Sequence, residues 1–533
     1  MLRSTLFLLC GVGCHAQYAG SLTLEVHPPL PSQTCTAAGC TTQNTKIVLD
    51  SNWRWLHNVG GTVNCYLGNL WNPALCPDPL TCAKNCAMEG ADYAGTYGIK
   101  TSGSQVSLKF VTRNNVGTRI YLLQDDDKYK IFKLLNQEFT FDVDVSQLPC
   151  GLISALYFSQ MDQDGGMARF PTNLAGAAYG TGYCDAQCPH DVKFINGEAN
   201  VNNWTPSKTD PNGGSGQYGS CCAEMDIWES NTISQAYTSH PCTVTEPTRC
   251  TSASECGDDA TDNRYDGVCD KDGCDFNPWR LNNHNFYGPG SKFAVDSTKP
   301  ITVVTQFITD DATADGNLVD IKRFYLQNGK VIENIATDWK GINRVSSLTD
   351  SMCGQIKTVF DNPDDHAKKG GLKAMGETLK KGVVLAMSLW ADHAAHGLWL
   401  DSSFPVEKNS SLPGVSRGSC PKDGGVPAEL QTLVPNATVT FSNIRVGDLG
   451  TTTANSLRSP TPSPPQSSST PSSSPLSPPP KPSTSGSPGV QIYSQCGGLN
   501  YKGPTECQDG LVCIHMSDDF DQCLALASRR PRS

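Results

Sequence analysis

The chain has 533 residues, a formal charge of −11 at pH 7 and a pI near 5.4. That acidity argues against nucleic acid as a partner, while 38% apolar residues over this length suffice for a large buried core. No stretch approaches eighteen uninterrupted apolar residues, so no membrane partner is expected of the mature chain.

In chain order, Met1 to Thr5 carries one basic residue, Arg3, followed by an apolar run from Leu6 to Val12 and small residues ending at Ala16. Residues 1–16 read as a secretory signal peptide, with Gln17 as the mature amino terminus and a secreted, extracellular destination. A buried amino-terminal strand is the alternative, disfavoured by Arg3 and the small-residue exit. Removing Arg3 takes the charge from −11 to −12. Cys10 and Cys14 leave with the signal, so 22 of the 24 cysteines remain, an even number that predicts disulfides rather than a zinc site. Eighteen lie between Cys35 and Cys420 and four between Cys496 and Cys523, so each group can pair within itself. Sequons at Asn203, Asn409 and Asn436 fit glycosylated surface loops.

Residues 17–450 form the large domain. Phe139, Phe141, Val143 and Val145 alternate with polar residues in a period-two strand. Ile301–Ile308, Val383–Leu389 and Val439–Val446 are also β-rich, and Gln327-Asn328-Gly329-Lys330 reads as a hairpin turn. Helical periodicity is scarce, with Gly371–Lys381 the best short candidate. Many strands, 49 glycines and cysteine-tied loops predict an all-β antiparallel sandwich. One sheet face is then free to line a groove.

Within this domain, residues 221–229 read Cys-Cys-Ala-Glu-Met-Asp-Ile-Trp-Glu and place three carboxylates in an apolar stretch. Acidic residues are rarely buried unless paired or working, so Glu224, Asp226 and Glu229 are candidates for acid/base chemistry; a solvated strand edge is the alternative. In a flat strand Glu224 and Asp226 share a face and Glu229 opposes them. A β-bulge at Ile227 or Trp228 would bring all three to one face. Glu224 and Glu229 would then span about four strand steps, ~13 Å between Cα atoms. A carboxyl pair about 5–5.5 Å apart serves retaining glycoside hydrolysis.

Residues 451–490 hold 11 Pro and 19 Ser or Thr and are expected to be an extended linker. Residues 491–524 carry the last four cysteines in a domain so small that it needs disulfides to fold. Residues 525–533 form a tail containing Arg529, Arg530 and Arg532, to which no function is assigned.

The run Gly219 to Glu229 resembles the active-site strand of family 7 glycoside hydrolases, the secreted fungal cellulases. Similar stretches include Asn52-Trp-Arg-Trp55, Tyr179-Gly-Thr-Gly-Tyr-Cys-Asp185, Phe194-Ile-Asn-Gly197, Asp275-Phe-Asn-Pro-Trp-Arg280, Ser388-Leu-Trp390 and Thr440-Phe-Ser-Asn-Ile444. The resemblance implies a concanavalin-like jelly roll whose long disulfide-tied loops form a substrate tunnel. It implies Glu224 as nucleophile, Glu229 as acid/base, Asp226 as a partner that orients the nucleophile by hydrogen bonding, and His240 as a neighbour of the acid/base. Taken alone, His240 could be a loop histidine bonded to backbone. Ten histidines show no His-Glu-x-x-His arrangement, and no metal or cofactor is expected.

Trp53 and Trp55 sit two apart, which in a strand puts both indoles on one face. By resemblance they, Trp390 and Trp399 are successive sugar platforms, with core packing as the alternative. Arg119, Tyr157, Tyr183, Asp185, Gln187 and Lys193 are carried over as substrate-side contacts, and Arg264, Asp272, Arg280 and Arg417 as product-end contacts. Each arginine alone could equally be an ion-pair residue.

The long segment between Cys242 and Cys274 resembles the roof loop of cellobiohydrolases, and Trp228 stands before the acid/base, so the resemblance implies processive release of cellobiose from reducing ends. The chain departs from the family where Ala260 and Ala394 replace two tyrosines that meet across the roof, which implies a gaping tunnel. Ile153 and Ala186 replace an Asn and a Ser near the site, and Ala19 and Ala87 replace a cysteine pair. The carboxy-terminal module resembles a family 1 cellulose-binding module, with Tyr493, Phe520 and Gln522 as binding residues and Asp519 in place of a third aromatic. That carboxylate cannot stack on glucose, so weakened adsorption is expected. Cellulose and cello-oligosaccharides are the expected partners of a monomer. An endo-1,4-β-glucanase with a partly open cleft is the alternative within the family, and an inactive glycan-binding protein the alternative from another class.

Overall fold

The computed structural model describes residues 17–453, 495–497, 502, 505–509, 511–517 and 520–525. The expected signal peptide and tail, Tyr493 and Asp519 lie outside these residues, as does the expected linker apart from its first three positions. Phe520 and Gln522 are described only as backbone of the strand Phe520–Ala525. The chain divides into two compact units, Met1–Pro460 and Thr461–Ser533.

The strands that organise the first unit are β1 (Ser32–Thr36), β2 (Lys46–Leu49), β3 (Thr118–Asp125), β4 (Gln137–Asp144), β5 (Leu152–Ser159), β6 (Glu224–Ser230), β7 (Gln235–His240), β8 (Cys274–Phe276), β9 (Ile301–Thr309), β10 (Leu318–Gln327), β11 (Lys330–Glu333), β12 (Val383–Ala391) and β13 (Thr438–Asp448). One sheet, of nine strands, runs β3-β12-β5-β6-β7-β8 with β2 paired to β3. The other, of ten, runs β1-β13-β4-β9-β10-β11. All pairings named along these paths are antiparallel except β1 with β13.

The core lies between the sheets, where Phe139, Phe141 and Phe441 of the ten-stranded sheet meet Phe158 and Trp228 of the nine-stranded one. The β-rich runs become β4, β9, β12 and β13, and the Asn328-Gly329 turn joins β10 to β11 with φ of 53° and 72°. Positive φ at both central residues is what a two-residue hairpin turn requires, and Asn-Gly tolerates it. The alternation expected along β4 is obscured by burial on both faces, since Glu138 and Thr140 are as buried as Phe139. The reason is the end of the domain: Glu138 accepts the Thr452 and Gly450 backbone N–H groups, and Thr140 bonds the Thr452 hydroxyl at 2.6 Å. Thr452 and Thr453, expected as linker, are therefore packed into the fold.

Helix α2 (Gly371–Lys381) spans the expected residues, but α1 (Asp350–Val359) was not expected from periodicity. Its signal was the cap: Thr349 Oγ1 accepts the Met352 N–H at 3.2 Å. Nine disulfides join the eighteen cysteines from Cys35 to Cys420 among themselves. Ala19 and Ala87 lie on adjacent parallel strands, with Tyr18 opposite Ala87 and Ala19 opposite Met88. In the second unit, Gln495–Gly497, Leu511–Ser517 and Phe520–Ala525 form a three-stranded sheet and Cys496 pairs with Cys513.

Candidate active site

The parity problem in β6 is solved by a bulge. Against β7, Asp226 pairs with Thr238 and Glu229 with Ala236, so three steps on β6 match two on β7; against β5, the register shifts between Asp226 and Trp228. Ile227 alone in β6 has no register partner on either side. Met225, Ile227 and Trp228 all enter the sandwich core, leaving Glu224, Asp226 and Glu229 on the opposite face beside Ser159, Tyr157 and Ala155 of β5. Pairing of Glu224 with Ser159 and of Glu229 with Ala155 spaces the two glutamates by four residues of β5, about 13 Å between Cα atoms.

Burial makes these carboxylates interact strongly. Glu224 and Asp226 are under a tenth exposed and Glu229 is half-buried. Loss of solvation, then the charge of Asp226, hold the Glu224 and Glu229 carboxyls well above the usual carboxylate range. Glu224 alone of the two has a backbone donor to its anion, the Ala186 N–H at 3.1 Å. Glu229 has Asp275 as a further like charge, with His240 opposing it. The hydrogen bond therefore favours the anion at Glu224 and the proton at Glu229. Ala186 lacks a hydroxyl, but its main chain supplies the contact.

His240 sits opposite Glu224 on β7; its Nε2 is 3.0 Å from Asp226 Oδ2 and its Nδ1 is 2.8 Å from the Asp270 carbonyl. Burial opposes charge on this ring, but the hydrogen bond and charge of Asp226 outweigh it and raise the imidazole to about 9. The hydrogen bond expected from Asp226 to Glu224 is thus replaced by an ion pair with His240. An imidazolium donates from both ring nitrogens, to the Asp226 carboxylate and to the Asp270 carbonyl.

Several of the motif residues line the same face in strand order. Arg119 (β3), Trp390 (β12), Tyr157 (β5), the carboxylates (β6), His240 (β7) and Asp275 (β8) cross the sheet over five interstrand steps, about 24 Å. Arg119 stacks 3.2 Å from the Tyr183 ring centroid and gives its Nε to Asp50 at 2.7 Å, so it is an ion-pair residue as well as a facing one. The Tyr157 and Tyr183 hydroxyls are 3.0 Å apart, and Tyr183 donates to Asp185 at 2.5 Å. Gln187 Nε2 donates to the Lys271 carbonyl at 2.8 Å. Lys193 Nζ donates to the Asn52 carbonyl at 2.6 Å, and burial lowers its pKa to about 8.

At the far edge Arg264 pairs with Asp272 at 2.7 Å and Arg280 with Asp275. Arg417 differs: its Nε is buried without a partner, and burial followed by the nearby Arg280 weakens its hold on the proton.

The tryptophan pair at 53 and 55 does not share a strand face. Ser51–Trp53 is a 3₁₀ turn capped by Asp50, so Trp53 packs against the core with Nε1 donating to the Val116 carbonyl at 3.4 Å. Trp55 is 38% exposed and donates to Asn64 at 2.6 Å. Trp390 and Trp399 stack on each other at 6.3 Å, with Ile153 packed against both.

No local signal in the sequence points to the contact that two distant loops make. The hairpin Thr205–Pro206/Gly214–Ser215 precedes the Glu224 end of β6; the loop 392–397 follows the Trp390 end of β12. These ends oppose each other, because Glu224 pairs with Ser159 of β5 and Trp390 with Ile153. Yet His393 Nδ1 lies 2.9 Å from the Thr209 carbonyl, and Thr209 Oγ1 donates to the His393 carbonyl at 3.4 Å. The bridge therefore joins segments that flank opposite ends of the nine-stranded sheet. Its Thr209 side is anchored to the Tyr66–Trp71 hairpin by Asn69 to Ser207 (3.0 Å), Trp204 to Asn69 (2.9 Å) and Tyr66 to Asn212 (3.0 Å). Ala260 and Ala394 are both exposed.

Residues 19–453 match the model of glycosyl hydrolase family 7, and residues 492–519 match the fungal cellulose binding domain. A GH7 family cellobiohydrolase from Daphnia pulex is 54% identical, covering 82% of this chain and 100% of its own, with a TM-score of 0.81. A cellobiohydrolase from Melanocarpus albomyces complexed with cellotetraose is 45% identical, covering 81% of this chain and 99% of its own, at 0.77. The Humicola insolens endocellulase EGI is 36% identical, covering 81% and 100%, at 0.69.

Proposed function

We propose, on the premise that this chain belongs to glycosyl hydrolase family 7, that it is a secreted cellulase acting with retention and releasing cellobiose from chain ends, with reducing ends as the starting point. The observation that carries the chemistry is the bulge that gathers Glu224, Asp226 and Glu229 on one sheet face. Glu224 attacks the anomeric carbon while Glu229 protonates the departing glycosidic oxygen, leaving a glycosyl ester on Glu224. Glu229, now anionic, takes a proton from water, which displaces Glu224 and restores the first configuration. The Ala186 N–H favours the anionic nucleophile. His240, held as a cation by Asp226, offsets the anion that Glu229 becomes.

Exo action is supported by the Thr209–His393 bridge, which ties together loops flanking opposite ends of the sheet as a roof over the face would, and by 54% identity to a cellobiohydrolase against 36% to an endocellulase. Trp390 and Trp399 offer apolar faces for sugar rings, and Arg417 is the product-end cation whose charge no carboxylate pairs within ion-pair range among the described residues. The cellulose binding domain supports cellulose as the polymer held. The exposed Ala260 and Ala394 favour a second reading, an endoglucanase with a partly open cleft.

Product analysis on crystalline and soluble cellulose tests both. Mostly cellobiose with slow viscosity loss is expected, and early mixed oligomers with rapid viscosity loss would favour the endo reading. A Glu224→Gln enzyme that still hydrolyses cello-oligosaccharides would remove the nucleophile assignment.

A further inference from the structure

Arg323 of β10 lies in the core between the two sheets, 2% exposed, and among the described residues its contacts are a hydroxyl, a carbonyl and tyrosine rings, with no carboxylate in ion-pair range. A buried guanidinium without a counter-ion is costly, so its contacts identify what it is there for. Nε donates to Thr305 Oγ1 at 3.1 Å, and the plane lies 4.3 Å from the Tyr237 ring centroid. Nη2 donates at 2.5 Å to the carbonyl of Ile227. Ile227 is the one residue of β6 without a register partner on either neighbouring strand, so its main chain is what the bulge takes out of the ladder. The cation and the orphaned carbonyl answer each other across the sandwich.

From this contact we infer that Arg323 is a positioning residue for the carboxylates, locking the bulge that sets Glu229 relative to Glu224 and Asp226. Glu224 and Asp226 precede Ile227 and lie in the regular part of the register with β7, on the near side of the shift. Glu229 follows it. A bulge free to slip or reverse therefore displaces the proposed acid more than the proposed nucleophile, and Arg323 acts on it from the sheet opposite the one that carries the carboxylates.

The test is a series of aryl β-cellobiosides assayed with the full-length enzyme, because acid assistance matters most where the leaving group is basic. Arg323→Met keeps an apolar side chain of similar length in the core and removes the donor. Its kcat/KM is expected to fall about tenfold or more on an unsubstituted phenyl cellobioside, a part of the roughly 10²–10⁴-fold that acid catalysis contributes. On a dinitrophenyl cellobioside, whose leaving group needs little assistance, the loss is expected to stay within about threefold. Arg323→Lys keeps one donor without the planar fork and is expected to fall between; it also decides the matter if the methionine variant does not fold. Equal losses on both substrates, or none, in a folded variant would overturn the inference. It rests on Glu229 as the acid, and Glu229→Gln separates the two failures. If that reading fails, Glu229→Gln does not discriminate between leaving groups. If only the present inference fails, Glu229→Gln discriminates and Arg323→Met does not.

Discussion

Removing the His393 ring should shorten processive runs without touching the chemical step. His393→Ala deletes the 2.9 Å bond to the Thr209 carbonyl and leaves only the longer 3.4 Å contact from the Thr209 hydroxyl. A net hydrogen bond is worth roughly 0.5–1.5 kcal/mol, and one that reaches solvent sits at about 1 kcal/mol. At that value the open arrangement of the loops becomes about fivefold more populated relative to the closed one. If a threaded chain escapes only while the loops are apart, its escape rate rises by the same factor and the number of cuts per engagement falls about fivefold. The assay is the ratio of cellobiose to odd-numbered products on crystalline cellulose, alongside kcat on a soluble chromogenic cellobioside. His393→Asn, whose amide nitrogen reaches near the Nδ1 position, should restore most of the run length. An unchanged ratio in His393→Ala would refute the idea that this bridge closes the roof, and a loss of kcat on the soluble substrate would show that the substitution disturbed the site itself.

The pairing of His240 with Asp226 makes a pH prediction. A folded value raised from 6.5 to about 9 contributes stability that is full below the unfolded pKa and lost as pH rises through about 9, on the order of 3 kcal/mol. An NMR titration of the imidazole should give a midpoint near 9, and one at or below 6.5 would contradict the ion pair. Trp228→Ala, at a fully buried position packed against Phe141 and Tyr287, should cost about 3–5 kcal/mol in denaturant unfolding. A loss under about 1 kcal/mol would mean the indole is not the core element its contacts describe. In the carboxy-terminal module, Asp519→Tyr should tighten adsorption to crystalline cellulose; equal binding isotherms would show that the carboxylate is not what limits it.

The sequence by itself determined the fold class through period-two strands, an Asn-Gly turn and an even cysteine count, and the family through the resemblance of its motif stretches; it also singled out three acids set among apolar neighbours as the candidate site. It even stated the parity conflict whose solution is a bulge. Only the tertiary structure decided that the bulge falls at Ile227 rather than Trp228, since that depends on register with β5, whose paired residues lie 65 or more positions upstream, as well as with β7, the hairpin strand that follows. It also decided who answers whom. Asp226 bonds His240 rather than Glu224, Arg119 is tied to Asp50, and Trp53 leaves the face of Trp55 because an Asp50-capped turn replaces a strand. The Arg323–Ile227 contact and the Thr209–His393 bridge join residues 96 and 184 positions apart. No periodicity or local propensity encodes such pairs, because their energy exists only once the two sheets have closed on a shared core and brought distant backbone within hydrogen-bond reach.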